Sequence, residues 1–161
     1  MSASLATDHT ALDVVRGLSR LFHRQAQSCL IEVPLPNGRR ADLLAVDSRG
    51  RITIVEVKVA RADLLADSKW PDYLDWCDRF YWGLSPALDP DLVSGDGWRV
   101  ERCGVIIADR YDGFILREAS EVPLAPARRR SETLRLGRIA MRRLMTVADP
   151  ELTSRAGDGE G

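Results

Sequence analysis

Three consecutive, mainly apolar segments in the first half of the chain are bounded by turn residues, a pattern that is typical of β-strands. They run from Cys29 to Leu35, from Arg40 to Asp47 and from Arg51 to Val59. The residues between them, Pro36-Asn37-Gly38 and Ser48-Arg49-Gly50, are strong turn formers. Because both connections are short, the pattern predicts a meander of three antiparallel strands.

A helical period of apolar residues predicts a first helix over about 11–24, with Thr10 as its N-cap. Arg16, Arg20 and Arg24 follow each other at four-residue spacing on another face of this helix. Such a row could contact phosphates, although an arginine row on a helix is more often a solvated face.

The second half of the chain predicts further helices and strands. Pro71 suits the first turn of a helix over about 71–79, after a polar region over 60–69. Strands are expected over 80–84, 102–108 and 114–118, with a loop or short helix over 87–97. Ser131 is expected to cap a final helix that ends near Val147. The apolar stripe of that helix comprises Leu136, Ile139, Ala140, Leu144 and Val147.

The order of these elements predicts an α/β fold with one mixed sheet. The antiparallel meander and the further strands would form this sheet, and helices would cover both of its faces. A chain of 161 residues fits a single domain. We expect that domain to span residues 10–147, between disordered ends at 1–9 and 148–161.

Two charged residues lie on a strand that is otherwise apolar. Side chains alternate along a strand, so Glu56 and Lys58 project from the same side as Ile54, while Val55 and Val57 take the other side. Charges in such a position cost stability unless they are paired or bind a ligand. This placement is the first sign of a functional site.

The turn at Pro36-Asn37-Gly38 decides which residues face this pair. If the turn is a three-residue loop, Glu32 lies opposite Asp42 and Pro34 lies opposite Arg40. A two-residue loop would break that alignment. With the longer loop, the carboxylates of the first two strands share a face of the sheet.

Neighbouring carboxylates such as Asp42 and Glu56 repel each other unless a cation lies between them. Their oxygens suit Mg²⁺ or Mn²⁺, which can polarise a phosphoryl oxygen and acidify a bound water. Lys58 could position that water and offset charge that develops on the phosphate. The combination is typical of phosphodiester hydrolysis. The simpler interpretation is a buried ion pair that only stabilises the sheet.

These residues resemble the motif of the PD-(D/E)XK phosphodiesterase superfamily, which has the restriction-endonuclease-like fold. Several segments are more closely similar to the MmcB family of bacterial DNA-repair proteins. They are Glu32-Val33-Pro34-Leu35, Arg39-Arg40-Ala41-Asp42-Leu43, Val55-Glu56-Val57-Lys58-Val59, Asp67-Ser68-Lys69-Trp70-Pro71-Asp72-Tyr73-Leu74-Asp75, Cys77-Asp78-Arg79-Phe80-Tyr81-Trp82 and Ile107-Ala108-Asp109-Arg110-Tyr111-Asp112. The resemblance covers roughly residues 10 to 147.

The resemblance implies a role for each motif residue. Asp42 and Glu56 would hold Mg²⁺ or Mn²⁺, the Val57 carbonyl would be a third ligand, and Lys58 would be the catalytic lysine. Many members add a glutamate from the first helix, but this chain has none there, and Glu32 is the candidate substitute. Pairing of Glu32 with Arg39 or Arg40 is an equal alternative. A polar residue after the lysine strand also joins the site in related nucleases, and the candidates are Asp67, Lys69 and Tyr73.

DNA is the expected partner, with other DNA-repair proteins as further candidates. Candidate DNA contacts are Arg40, Lys69, Trp70, Arg128, Arg129, Arg130 and Arg135. A salt bridge to a site carboxylate is the favoured role for Arg40. Trp70 is the aromatic residue of its segment that could stack on bases, whereas its neighbours have core spacing. The arginines of the final helix could follow a phosphate backbone or form a solvated face.

Charge is unevenly distributed, although the net charge of the chain is only −1. Between Asp63 and Asp96, eight aspartates stand against two basic residues; between Pro123 and Met145, seven arginines stand against one glutamate. This segregation could create a basic face, or the two segments could neutralise each other.

The remaining composition gives the expected location of the protein. Three scattered cysteines without a Cys-x-x-Cys pair fit a reducing cytoplasm. The first residues lack the pattern of a signal peptide, and no apolar stretch approaches the ~20 residues that span a bilayer. We therefore expect a cytoplasmic protein without a membrane segment. An alternative to a nuclease is a DNA-binding or repair-complex accessory module that has the same fold and does not cleave.

Overall fold

A computed structural model describes residues 9–152 of the chain. The strands are β1 (Ser28–Pro34), β2 (Arg40–Val46), β3 (Ile52–Lys58), β4 (Arg79–Leu84), β5 (Cys103–Ala108) and β6 (Gly113–Arg117). The α-helices are α1 (Ala11–Arg24), α2 (Arg61–Ala66) and α3 (Pro126–Ala148), and two short 3₁₀ helices span Trp70–Trp76 and Pro90–Val93. The described residues form two compact units, which divide between residues 124 and 125.

All six strands belong to one sheet in the order β1-β2-β3-β4-β5-β6. Strands β1, β2 and β3 pair antiparallel, β3, β4 and β5 pair parallel, and β6 returns antiparallel to β5. The sheet is therefore mixed and open, and the predicted meander forms its first half.

The connection between β1 and β2 has the predicted three-residue register, because Pro34 pairs with Arg40. The pairs Ile31–Leu43 and Val33–Ala41 flank Glu32 and place it opposite Asp42. Glu32 itself has a φ of 49°, in the left-handed region that residues other than glycine rarely adopt. The backbone of β1 is thus locally distorted beside Asp42.

Helix α1 covers one face of the sheet. Thr10 forms a capping box with Asp13, as expected for the predicted helix start. The buried side of α1, which includes Val14, Leu18 and Phe22, packs with Val55 and Ile106 in the core of this face. Burying these apolar side chains fixes α1 across the strands that carry the site.

Residues of alternate positions face the other side of the sheet, where α2 and the Trp70–Trp76 helix lie against β3 and β4. The centroid of the Trp70 ring lies 5.8 Å from that of Phe80 and 5.5 Å from that of Trp82. Helical segments therefore cover both faces of the sheet, as the sequence predicts.

The segment after β3 differs from the prediction. Residues 61–66 form α2, and the helix expected over 71–79 is a 3₁₀ helix that ends at Trp76. One carboxylate oxygen of Asp67 accepts hydrogen bonds from the backbone N–H groups of Lys69 and Trp70, which starts a tight turn there. The helix ends before residue 79 because Arg79 is the first residue of β4.

The second unit contains α3, which begins at Pro126, before the predicted cap at Ser131. Proline at the first helical position explains the earlier start. The predicted stripe is wrong in its second half: Leu136 is buried, whereas Leu144 and Val147 are 68% and 79% exposed.

Both predicted disordered ends fall largely outside the described residues. Residues 1–8 and 153–161 are not described, and 150–152 form one 3₁₀ turn after α3. Within the described chain, no helix has the length and apolar character that a membrane span requires.

Candidate active site

The carboxylates of Asp42 and Glu56 lie where the pairing of β2 with β3 opens. Backbone pairing runs from Val46–Ile52 to Leu43–Val55 and stops there. Beyond that point, a Glu56 Oε1 accepts a hydrogen bond from the Asp42 backbone N–H at 3.3 Å. The Val57 backbone N–H donates in turn to Asp42 Oδ2 at 2.8 Å. Each side chain thus accepts a hydrogen bond from the backbone of the other strand. These two bonds take the place of the backbone hydrogen bonds that would continue the pairing of β2 with β3.

Burial makes both of these carboxylates poor acids. Glu56 is only 6% exposed, and burial together with the neighbouring Asp42 raises its pKa to about 8. Burial also raises the pKa of Asp42, against the opposing effects of the Val57 N–H and Lys58. Paired carboxylates with raised pKa values are a common property of functional sites.

Lys58 extends from β3 to Asp67, in the turn that follows α2. The Lys58 Nζ lies 2.9 Å from Asp67 Oδ2, and both side chains are largely buried. The charge of Lys58 lowers the pKa values of Asp42 and Glu56, whereas that of Asp67 raises the pKa of Glu56. Asp67 therefore joins the site, as one of the three candidates after the lysine strand.

Tyr73 is a second residue of that segment in the site. Its hydroxyl donates to the Arg40 carbonyl at 2.9 Å. Burial and the nearby carboxylates of Glu56 and Asp42 raise its pKa, so the phenol keeps its proton. The third candidate, Lys69, has an exposed side chain.

A cavity of about 110 Å³ lies between α1 and the strands that carry Glu32 and Asp42, and Glu56 is not part of its lining. Its lining includes Glu32, Asp42 and Val57 together with Ala11, Leu12 and Val15 from the start of α1. The first turns of α1 thus contribute apolar side chains to the cavity that Asp42 lines. Glu32 lies opposite Asp42 and lines the same cavity, and its role as a substitute ligand stays a prediction.

The donor set suits Mg²⁺ in its chemistry. Mg²⁺ is commonly held by one or two carboxylates and completes its coordination with water and substrate phosphates. Asp42 and Glu56 supply two such carboxylates. Over residues 9–152, no three histidine, cysteine or acidic side chains are grouped closely enough to form a complete cage.

Two predicted DNA contacts near the site have different surroundings. Arg40 is exposed, and its backbone anchors Tyr73. Trp70 is only 5% exposed, and its ring stacks at 6.2 Å on that of Trp98. The prediction that Trp70 stacks on bases is therefore wrong in this structure, because the ring is already enclosed by other aromatic rings.

The remaining predicted contacts lie in the second unit, on α3. Arg128 and Arg130 are exposed, and Arg129 is partly buried. Arg135 forms a two-point ion pair with the buried Glu132, with N–O distances of 3.0 and 2.6 Å. Contact between these arginines and DNA stays a prediction.

Asp78 is a residue whose importance the sequence pattern did not reveal. It is fully buried, and its two carboxylate oxygens accept hydrogen bonds from the backbone N–H groups of Ile52 and Leu124. It thereby fixes the start of β3, the strand that carries Glu56 and Lys58. Its position directly after Cys77 and two residues before Phe80, beside the single charged neighbour Arg79, is the signal that could have revealed it.

Comparison with known proteins places the chain in a family. No curated protein matches the chain. A solved structure, the SPO1766 protein of unknown function from Silicibacter pomeroyi, is 35% identical, with 94% of each chain covered and a TM-score of 0.78. The family model described as DNA repair protein MmcB-like matches residues 2–151. The chain therefore belongs to the MmcB-like family of DNA repair proteins.

Proposed function

We propose that the protein is a metal-dependent phosphodiesterase that cleaves DNA, with a site of the PD-(D/E)XK type. The observation that carries this proposal is the pairing of Asp42 and Glu56. Two buried carboxylates raise each other's free energy when they ionise, and a divalent cation would remove that cost. A DNA-repair family is a suitable setting for such an activity.

The residues of the site have distinct roles in this proposal. Asp42 and Glu56 would hold the cation, and their positions on adjacent strands fix the separation of their oxygens. Bound Mg²⁺ or Mn²⁺ would neutralise phosphate charge and acidify water. Lys58 would orient the attacking water and stabilise charge on the phosphate. Asp67 would position Lys58 through the ion pair between the two side chains.

A second candidate function is a DNA-binding accessory module that does not cleave. The ion pair between Lys58 and Asp67 favours it, because the lysine already has a carboxylate partner. The carboxylates of Asp42 and Glu56 likewise already accept backbone hydrogen bonds. In this case the three charged residues would serve the sheet alone.

A cleavage assay separates the two candidates. Purified protein is incubated with single-stranded, double-stranded and branched DNA in the presence of Mg²⁺ or Mn²⁺. We expect cleavage that Lys58→Ala reduces by roughly 100-fold or more, because the transition-state charge loses its neighbour. Arg49→Ala is the matched control, since it removes an exposed charge from the β2–β3 turn.

Calorimetric titration of Mg²⁺ and Mn²⁺ into the same proteins completes the test. Cleavage with measurable metal binding supports the phosphodiesterase. Absence of both cleavage and metal binding, with DNA binding retained, supports the accessory module. Equal cleavage by wild type and Lys58→Ala contradicts the assignment of Lys58.

A further inference from the structure

Helix α1 borders two cavities in succession. Leu12 and Val15 line the cavity that contains Asp42. One turn further along, an open groove of about 480 Å³ begins on the same side of the helix. Its lining residues are Arg16, Ser19, Arg20, His23, Arg24 and Tyr111. Because Arg16 follows Leu12 and Ser19 follows Val15 by four residues, the helix residues that line the two cavities share one side of α1.

The turn between β5 and β6 forms the second wall of this groove. Gly17 allows the close approach, since a Cβ there would lie 1.9 Å from the Asp109 carbonyl oxygen. The Arg20 guanidinium donates to the Tyr111 carbonyl at 3.1 Å. The turn is therefore fixed against the helix, and Tyr111 lies beside the arginines.

Four arginines lie in or beside the groove, and they differ in whether they have an acidic partner. Arg24 pairs with Asp112 at 2.5 Å, and Arg110 lies 3.9 Å from Asp13. The guanidinium groups of Arg16 and Arg20, in contrast, form no ion pair with any residue between 9 and 152. They are the positions where phosphates could be neutralised.

Tyr111 supplies an aromatic surface next to these charges. It is 65% exposed, although aromatic side chains usually bury most of their area. The Arg110 guanidinium lies 5.5 Å from the centre of its ring, as in a cation–π contact. Arginines that follow a backbone and an exposed ring on which a base can stack are the two components of single-strand binding sites.

We propose that this groove binds a single DNA strand, with phosphates on Arg16 and Arg20 and a base on Tyr111. The strand then continues along α1 toward Leu12 and Val15, one to two helical turns or about 5–11 Å along the helix axis, where the cavity that Asp42 also lines begins. An intact duplex does not fit this role, because its bases are stacked and paired. Delivery to Asp42 rests on the proposed function, whereas strand binding does not.

Fluorescence anisotropy with a labelled oligothymidylate in EDTA tests strand binding without metal or cleavage. The double variant Arg16→Gln/Arg20→Gln should bind at least about ten-fold more weakly, and its salt dependence should decrease by about 1.4 in slope, or 0.7 for each lost phosphate contact. Tyr111→Ala should weaken binding about ten-fold. Tyr111→Phe retains the ring and should bind like wild type. Arg49→Gln, an exposed arginine elsewhere, is the charge-matched control.

Circular dichroism and thermal unfolding establish that each variant is folded. The single variant Arg16→Gln removes one charge from the groove and leaves the hydrogen bond from Arg20 to the Tyr111 carbonyl in place. The proposal is overturned if the double variant binds no more weakly than Arg49→Gln. It is also overturned if Tyr111→Phe loses as much affinity as Tyr111→Ala, or if a duplex of equal length binds as tightly. If the groove variants lose binding but the wild type does not cleave DNA, the strand-binding proposal is supported and only the proposed phosphodiesterase activity is contradicted. Cleavage that depends on Lys58 but not on the groove contradicts only the groove.

Discussion

Replacing Glu56 by glutamine is expected to have two large and opposite effects. It should reduce metal-dependent cleavage by at least about a hundred-fold, since a neutral amide holds a divalent cation far more weakly than a carboxylate. In metal-free protein it should raise the free energy of unfolding at alkaline pH. Glutamine has nearly the shape of glutamate, and its carbonyl oxygen can still accept the hydrogen bond from the Asp42 N–H.

The sign of the stability effect follows from the pKa of Glu56. The folded protein holds the Glu56 proton up to a pKa of about 8, whereas the ordinary value is 4.5. Below the ordinary value both states are protonated and the wild type has no penalty. As pH rises from there to about 8, the unfolded chain releases this proton first, so stability falls. The accumulated loss is on the order of 3–5 kcal/mol, at about 1.4 kcal/mol for each pKa unit.

Urea unfolding in EDTA between pH 5 and pH 9 measures this effect. The two proteins should differ little near pH 5, and Glu56→Gln should be more stable near pH 9. Asp47→Asn is the control of opposite sign, because hydrogen bonds from Arg51 and Arg49 hold the pKa of Asp47 below its usual range. That variant should lose stability at neutral and alkaline pH. A Glu56→Gln protein that is less stable than wild type near pH 9 would contradict the raised pKa.

The substitution Asp78→Ala is expected to destabilise the fold by roughly 3–5 kcal/mol. It would leave the N–H group of Ile52, which is buried, and that of Leu124, which is partly buried, without their carboxylate acceptors, at about 1–3 kcal/mol each. For a domain of this size, that loss lowers Tm by roughly 10 °C. The start of β3 would lose its anchor, and the site on that strand would loosen with it.

Thermal unfolding of three variants tests this expectation. Asp78→Asn keeps one carbonyl oxygen as an acceptor and should lie between wild type and Asp78→Ala. Asp96→Ala removes an exposed aspartate and should unfold like wild type. If Asp78→Ala and Asp96→Ala unfold at the same temperature, the carboxylate of Asp78 does not hold β3 as described.

Local signals in the sequence were sufficient for the first half of the fold. The capping box at Thr10 and the helical period of α1 depend on residues close in sequence, and both are present in the structure. The turn at Pro36-Asn37-Gly38 set the register that brings Glu32 opposite Asp42. The alternation along β3 likewise placed Glu56 and Lys58 on one face.

The errors lie where distant residues determine the outcome. Trp70 is buried because Phe80, Trp82 and Trp98 converge on it from other elements, which the spacing of Trp70 in its own segment cannot reveal. The ion pair of Lys58 with Asp67 depends on the chain returning over the sheet after α2. Leu144 is exposed although it follows the helical period of apolar residues in α3. The period predicts which side chains share a face of the helix, but not whether another element covers that face.

The opening between β2 and β3 makes a cation that binds Asp42 Oδ2 and Glu56 Oε1 a competitor of the sheet for these two oxygens. In the structure, Asp42 and Glu56 accept hydrogen bonds from two backbone amides, as the carbonyls of a paired strand would. On our proposal, an ion that is coordinated by these oxygens breaks the two hydrogen bonds, and the backbone N–H groups of Asp42 and Val57 then donate to water instead. Amide hydrogen exchange at these two positions would then become faster on metal binding, although ligands usually slow exchange. The gap in the ladder would thereby report the occupancy of the site through the backbone.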